Sequence, residues 1–220
     1  MTTDPIREYL TTAKQAVLQT AAGAEALQRA VHQRWSVKTG ADAGAANLVT
    51  QVPVAGTIAG MVALAVPAVL PPDARSQGTE ETVWELEATL TGYKHESDGD
   101  YHLVIADGQG NTMIAEIPDP AALAPGSFFA EQITAARQAF DNQFGRQLTA
   151  ATQPAATPQF AAAAVAPALI PASESVTVQG LGFFDFAHGQ DGVAPNAIEL
   201  HPVVSIEFHG PATAAPLPQA

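Results

Sequence analysis

The sequence predicts an α+β fold: three strands, a helix and two more strands, preceded by a long N-terminal helix. Three observations carry that prediction. Apolar and polar residues alternate through Thr82–Thr91, and four later segments are strand-like and bounded by turn residues. An amphipathic stretch from Ser127 to about Phe144 separates the third strand from the fourth. An apolar stripe at spacings of three and four runs through residues 4–34. The 220 residues are 47% hydrophobic and 14% charged, enough apolar material for a packed core rather than a solvated tail. Cysteine is absent, which excludes disulfide staples, thiol nucleophiles and Cys-ligated zinc.

The elements follow in order. Asp4 and Pro5 read as N-cap and first turn of a helix. Ile6, Leu10, Ala13, Val17, Thr20, Ala24, Leu27 and Val31 form its stripe, roughly 45 Å long. Such a helix packs on its own domain or docks another chain, so residues 4–34 are the candidate surface for a protein partner or self-association. Residues 1–40 are this helix and its connector, and residues 41–80 are an Ala/Pro-rich segment. Within it, Val52–Leu70 is long enough to span a bilayer, but Pro53, Gly56, Gly60 and Pro67 interrupt it and no basic cluster flanks it. A short buried helix fits better, with Thr57 as N-cap, Ile58, Met61, Val62 and Ala65 at helical spacing, and Pro67 as its stop.

In Thr82–Thr91, Trp84, Leu86, Ala88 and Leu90 share one face. Ser97–Asp100 is a turn, Tyr101–Ala106 a strand, Asp107–Asn111 a hairpin loop and Thr112–Ile117 a third strand, ended by Pro118 and Pro120. Ser127 caps a helix whose apolar face is Phe128, Phe129, Ile133, Ala136, Phe140 and Phe144. Residues 148–172 read as an Ala/Pro-rich insertion without a long helix. Ser175–Phe186 is a fourth strand, in which Gly180 and Gly182 suggest a bulge, and Asn196–Phe208 is a fifth. Residues 210–220 read as a disordered tail. The order βββαββ is that of the OB fold, so residues 81–209 are expected to form a five-stranded OB-like β-barrel.

Several blocks also resemble a family of uncharacterised bacterial proteins. They are Trp35–Gly40 (WSVKTG), Tyr93–Val104, Thr112–Pro118, and the run from Gly180 through Gln190 and Ala194 to Val203. The resemblance covers most of residues 35–208 in pieces. It implies that Val52–Leu70 belongs to a globular domain, and it implies no activity. The N-terminal helix and the Ala/Pro insertion depart from it.

The net charge is -13 and it is uneven. Residues 1–75 hold six bases and five acids, residues 76–220 hold three bases and 17 acids, and no Lys or Arg follows Arg146. Phosphate contacts come mainly from Lys and Arg, so nucleic acid is an unsuitable partner for the C-terminal two-thirds. The first 30 residues contain no apolar run of the length a signal peptide needs and no typical cleavage signal, which leads us to expect a cytoplasmic protein, with leaderless export compatible.

Two polar constellations could carry chemistry. Asp98, Asp100 and His102 lie at i, i+2 and i+4 across a turn and a strand start. They suit Ca²⁺ through oxygen, a transition metal if His102 joins, or a turn whose aspartates bond their own backbone. Asp185, His188, Glu199 and His201 come near one another if the last two strands pair. Two imidazoles and two carboxylates suit Zn²⁺, Mn²⁺ or Fe²⁺, or form a buried network in which Asp fixes the His tautomers. No G-x-S-x-G or Walker pattern is present. Arg137 and Arg146 fall on the helix, away from both clusters, and Arg34 or Lys38 reaches a cluster only if the N-terminal segment folds over the strands. Three functions follow: a non-enzymatic OB-like binding or structural module docked through its N-terminal helix, a metal-dependent, phosphodiesterase-like hydrolase, and a Ca²⁺-stabilised structural domain.

Overall fold

The computed structural model describes residues 34–152, 168–186 and 189–212. The chain divides into two compact units, Met1–Trp35 and Ser36–Ala220. Of the predicted 4–34 helix only Arg34 is described, as a turn residue. The rest of that helix, most of the 148–172 insertion and the tail beyond Ala212 lie outside the described residues.

The elements are α1 (Trp35–Lys38), β1 (Val54–Gly56), α2 (Ile58–Val62), β2 (Val83–His95), β3 (Tyr101–Ala106), β4 (Thr112–Ile117), α3 (Ala130–Thr152), β5 (Ile170–Phe184) and β6 (Ile198–Pro211). The result is a mixed α+β unit built on one six-stranded sheet in the order β1-β2-β3-β4-β6-β5, with β2 also paired to β5. Five strands therefore pair in a ring. Four of its seams are antiparallel, and β4–β6 is parallel.

Strand β2 serves three neighbours. Its residues 84–86 pair with β1, and Thr89–His95 pair with β3 along the same edge, while Val83–Tyr93 pair with β5 on the other. A register shift between Leu90 and Gly92 flips the alternation, so that Leu86, Leu90 and then Tyr93 all enter the core. The predicted alternation thus holds as far as the bulge, and the strand runs four residues past it.

The glycines of β5 sit where the β5–β6 register shifts. At Gly182 a Cβ would run into the carbonyl of Thr79, so only glycine allows this approach. Strand β5 begins at Ile170 and β6 ends at Pro211, so both reach into segments that sequence reads as insertion and tail.

Helix α3 begins at Ala130, three residues after the predicted cap: Ser127 Oγ accepts the N–H of Phe129 (3.3 Å) in the turn that leads into it. It runs to Thr152, beyond the predicted end near Phe144, because the apolar spacing continues to buried Leu148. Phe129, Ile133, Ala136, Phe140 and Phe144 are buried, but Phe128 is 46% exposed, since it precedes the helix and escapes its stripe. Phe140 lies at the centre of an aromatic group, with ring centroids 5.3 Å from Tyr93, 5.2 Å from Tyr101 and 5.1 Å from Phe144.

The 41–80 segment packs onto the strands. Thr57 Oγ1 accepts the N–H of Gly60 and caps α2, as its spacing predicts, but the helix ends at Val62, well short of Pro67. Asn196 Nδ2 donates to the carbonyls of Met61 and Leu64. Glu80 accepts from Ser76 N–H (2.6 Å) and from Phe184 N–H (2.9 Å), and Arg75 pairs with Asp42 at 2.9 Å in a buried ion pair. Among the described residues no helix is long and apolar enough to cross a membrane.

Removing the Phe140 ring leaves a cavity between α3 and the strands. We expect Phe140→Ala to cost about 3–5 kcal/mol, read as a lower urea midpoint with an unchanged slope.

Candidate functional site

The main core takes Leu103 from β3, Ala115 from β4 and Leu200 from β6. Alternation therefore sends His102, Glu116, Glu199 and His201 to the opposite face of these three strands. That face is also closed to solvent: His102 is 0% exposed, His201 1%, Glu199 2% and Glu116 6%. A cover explains this. The loop after β5 crosses over β3, where Gly192, at φ 78, lies so close to Val104 that a Cβ would meet its methyl groups at 2.5 Å. The carbonyl of Asp191 accepts from His102 Nε2 (2.9 Å). From the other side Lys38, at the end of α1, reaches Asp185 (3.1 Å) and lies over the Phe183 ring.

Glu116 is the centre of the network. Its Oε1 lies 3.0 Å from His102 Nδ1, and its Oε2 lies 3.2 Å from His201 Nδ1. His201 Nδ1 is also 3.1 Å from Glu199 Oε1. His201 Nε2 points at Asp100 Oδ2, 3.8 Å away, beyond hydrogen-bond range. Asp100 Oδ1 accepts from Asp119 N–H (2.8 Å). Glu96 stands 3.6 Å from His102 Nδ1 and 3.2 Å from Lys94.

Protonation follows from these contacts. Both ring nitrogens of His102 face acceptors, a carboxylate and a carbonyl, which selects the doubly protonated imidazolium. Burial opposes that charge most strongly, but the hydrogen bond and charge of Glu116, the Asp191 carbonyl and the Glu96 charge together outweigh it and raise the pKa. For His201 burial again opposes charge, and Glu116 and Glu199 overcome it, pushing the pKa up to about 10. Glu116 is held well below the ordinary carboxylate range: burial pushes it up, but hydrogen bonds from both imidazoles and the charges of His201 and Lys38 together outweigh that. Burial drives Asp100 up to about 7 against the pull of His201. Burial and the Glu116 charge together drive Glu199 to about 7. The burial of Lys38 is likewise overcome by Glu199, Asp185 and Glu116, which raise its pKa.

The two predicted constellations thus become one in part. Asp100, Glu199 and His201 meet, and His102 joins them through Glu116. Asp98 stays in its turn, where Oδ1 accepts the N–H of Asp100 (3.2 Å). Asp185 belongs to the Lys38 end of the network. His188 lies outside the described residues. Lys38 does fold over the strands. Arg137 is not remote from the first cluster: its guanidinium donates to the carbonyls of Gly99 (2.7 Å) and Ile117 (3.3 Å) and stacks on Tyr101. The helix passes directly beneath that turn, which element order alone does not reveal.

Sequence reasoning misses Glu116, although a signal for it exists. A hairpin closed by Ala106 and Thr112 places His102 opposite Glu116, as observed. Chemically, the enclosed set can share protons, and among the described residues two groups have donor atoms within 4.8 Å of one another: Glu96, His102 and Glu116, and Asp100, Glu116 and His201.

No protein-family model and no curated protein sequence matches the chain. Among solved structures it is similar to a putative aspartyl-tRNA synthetase from Leishmania major Friedlin, with a TM-score of 0.36 and 11% identity over 76% of this chain. The match spans 23% of that protein's length, and a likeness of this size carries no argument about function.

Two outcomes follow from the network. Glu116 favours folding fully above pH 4.5, its ordinary value, and loses that contribution as pH falls. His201 favours folding fully below 6.5 and loses this as pH rises through about 10. Asp100 and Glu199 oppose folding increasingly as pH rises from 3.8 and 4.5 toward about 7. Glu116 stops adding stability above 4.5, and Asp100 and Glu199 withdraw it from there toward 7, so thermal melting should peak at about pH 4 to 4.5 and decline on both sides. Glu116→Gln leaves two buried imidazoles without their carboxylate and should cost about 3–5 kcal/mol by urea denaturation at pH 6.

Proposed function

We propose that the strand ring is an OB-type barrel acting as a non-enzymatic binding or structural module, docked to a protein partner or to a second copy through residues 4–34. The ring order, with the helix between β4 and β5, supports the barrel reading. One observation carries the module reading. The His and carboxylate side chains that would do chemistry are enclosed beneath the Asp191–Gly192 loop and bonded to each other. A hydrolase acting on a phosphodiester needs those groups open to its substrate and cations facing the developing charge. Here Lys38 is engaged by Asp185, and the Arg137 guanidinium by backbone carbonyls and the Tyr101 ring.

The rim of the ring favours a neutral or basic partner. Glu96, Asp98 and Asp191 border the turn and the covering loop, and Lys94 beside them is paired with Glu96 and Asp191. The N-terminal stripe supplies the apolar surface for docking.

The reading is tested on the full chain by size-exclusion chromatography with light scattering. Self-association through the stripe predicts a multimer that falls to a single chain in the double variant Leu10→Asp/Val17→Asp, while His201→Ala leaves the multimer in place. A wild-type chain that runs as a monomer, or an assembly indifferent to the stripe, removes self-association from the proposal.

A further inference from the structure

The enclosed network has one feature that its own hydrogen bonds do not satisfy. His201 Nε2 is buried with no hydrogen-bond partner, on a side chain only 1% exposed. It is aimed at Asp100 Oδ2, a second buried group, across a 3.8 Å gap. The other ring nitrogen is committed to Glu199 and Glu116. A carboxylate on Nδ1 is the arrangement that orients a histidine for metal binding through Nε2 and raises its basicity.

We propose that Asp100, Glu116 and His201 form a site for one divalent transition-metal ion, held between His201 Nε2 and Asp100 Oδ2 with Glu116 as the third donor. The gap fits. Bonds from nitrogen and carboxylate oxygen to such an ion are about 2.0–2.2 Å each, so a 3.8 Å separation is spanned by one shared ion at an open angle. One donor atom from each of the three residues lies within 4.8 Å of the others. Glu199 keeps the hydrogen bond to His201 Nδ1, so Glu116 would leave its 3.2 Å contact with that nitrogen to reach the ion.

Charge points the same way. Asp100, Glu116 and Glu199 are buried acids, and Lys38 is shared among Glu199, Asp185 and Glu116. Buried carboxylates need compensating cations. Carboxylate and imidazole donors bind an ion in their deprotonated form, so binding would release protons. The nitrogen donor selects Zn²⁺, Mn²⁺, Co²⁺ or Fe²⁺ over Ca²⁺, which takes oxygen ligands. The three donors sit in the turn just before β3, on β4 and on β6, so the ion would clamp the ends of three strands together rather than meet a substrate. This site stands independently of the assembly proposed above, and each test can fail alone.

The test uses the full chain, stripped with EDTA and titrated with Zn²⁺, Co²⁺ and Mn²⁺ by calorimetry at pH 8. We expect one ion per chain, proton release detected as a buffer-dependent heat, and at least a tenfold loss of affinity in Asp100→Asn and in His201→Gln. The asparagine keeps the acceptor for Asp119 N–H, so this variant preserves the turn. Glu96→Gln removes a carboxylate from the neighbouring Glu96, His102 and Glu116 group and leaves affinity unchanged. A readout on the unaltered chain protects the test against unfolded variants: Mn²⁺ should broaden the ring signals of His201 before those of His95 and His209. The proposal is overturned by an absence of saturable uptake, by broadening that begins at His95 or His209, or by affinity lost only in Glu96→Gln.

Discussion

The ring depends on one carboxylate. Its β4–β6 seam is parallel and has only two registered pairs, Ile114 with Glu199 and Ala115 with Leu200, whereas the β2–β5 and β5–β6 ladders run far longer. At this short seam Glu116 reaches from β4 to His201 on β6, while its other oxygen holds His102 on β3. One side chain therefore ties three strands where the backbone ladder does least. Burying such ions costs several kcal/mol each, so the network adds little net stability over an apolar replacement of the same shape. What it adds is uniqueness. A strand that slips by one residue turns Glu116 into the apolar core, and that register is prohibitively costly.

The cover and the network require each other. An imidazolium at His102 has its second N–H satisfied only because the Asp191 carbonyl lies above it. That carbonyl is placed by a loop whose approach to Val104 is possible only at glycine. Lifted into water, the carboxylates and imidazoles would return toward their ordinary titration ranges. Burial raises the pKa values of Asp100 and Glu199, whereas neighbouring carboxylates raise those of His201 and Lys38 against it.

Much of the strand order is legible in the sequence because alternation and turn chemistry are local. Thr82–Leu90 alternates, Asp107–Asn111 closes a hairpin, and the Phe129–Phe144 spacing marks a helix. Strand ends are less legible. Past Leu90 a bulge reverses the alternation of β2, and β5 starts beside Pro171 in a segment whose composition reads as loop. Strand β1 is three residues long, too short for any periodicity, and exists only because β2 offers it an edge. The site divides in the same way. The spacing of Glu199 and His201 places them on one face, and hairpin register places Glu116 opposite His102. No local pattern pairs β4 with β6, and that nonlocal seam alone brings the Asp100 and His201 ends together.

Because Glu116 is shared, its two imidazoles are not independent. A proton or cation gained at His201 changes the charge that Glu116 must balance, and through it the hold on His102. His102 in turn anchors the Asp191 carbonyl and with it the loop. A continuous chain of contacts therefore runs from the Asp100 turn, through β6 and β4, to the outer cover of β3. The main core stands apart from this chain of contacts, since Leu103, Ala115 and Leu200 lie on the other face of the same strands. The fold thus separates its two tasks by side-chain parity: alternate residues of β3, β4 and β6 hold the core, and those between them hold the charges that join the ring to its cover.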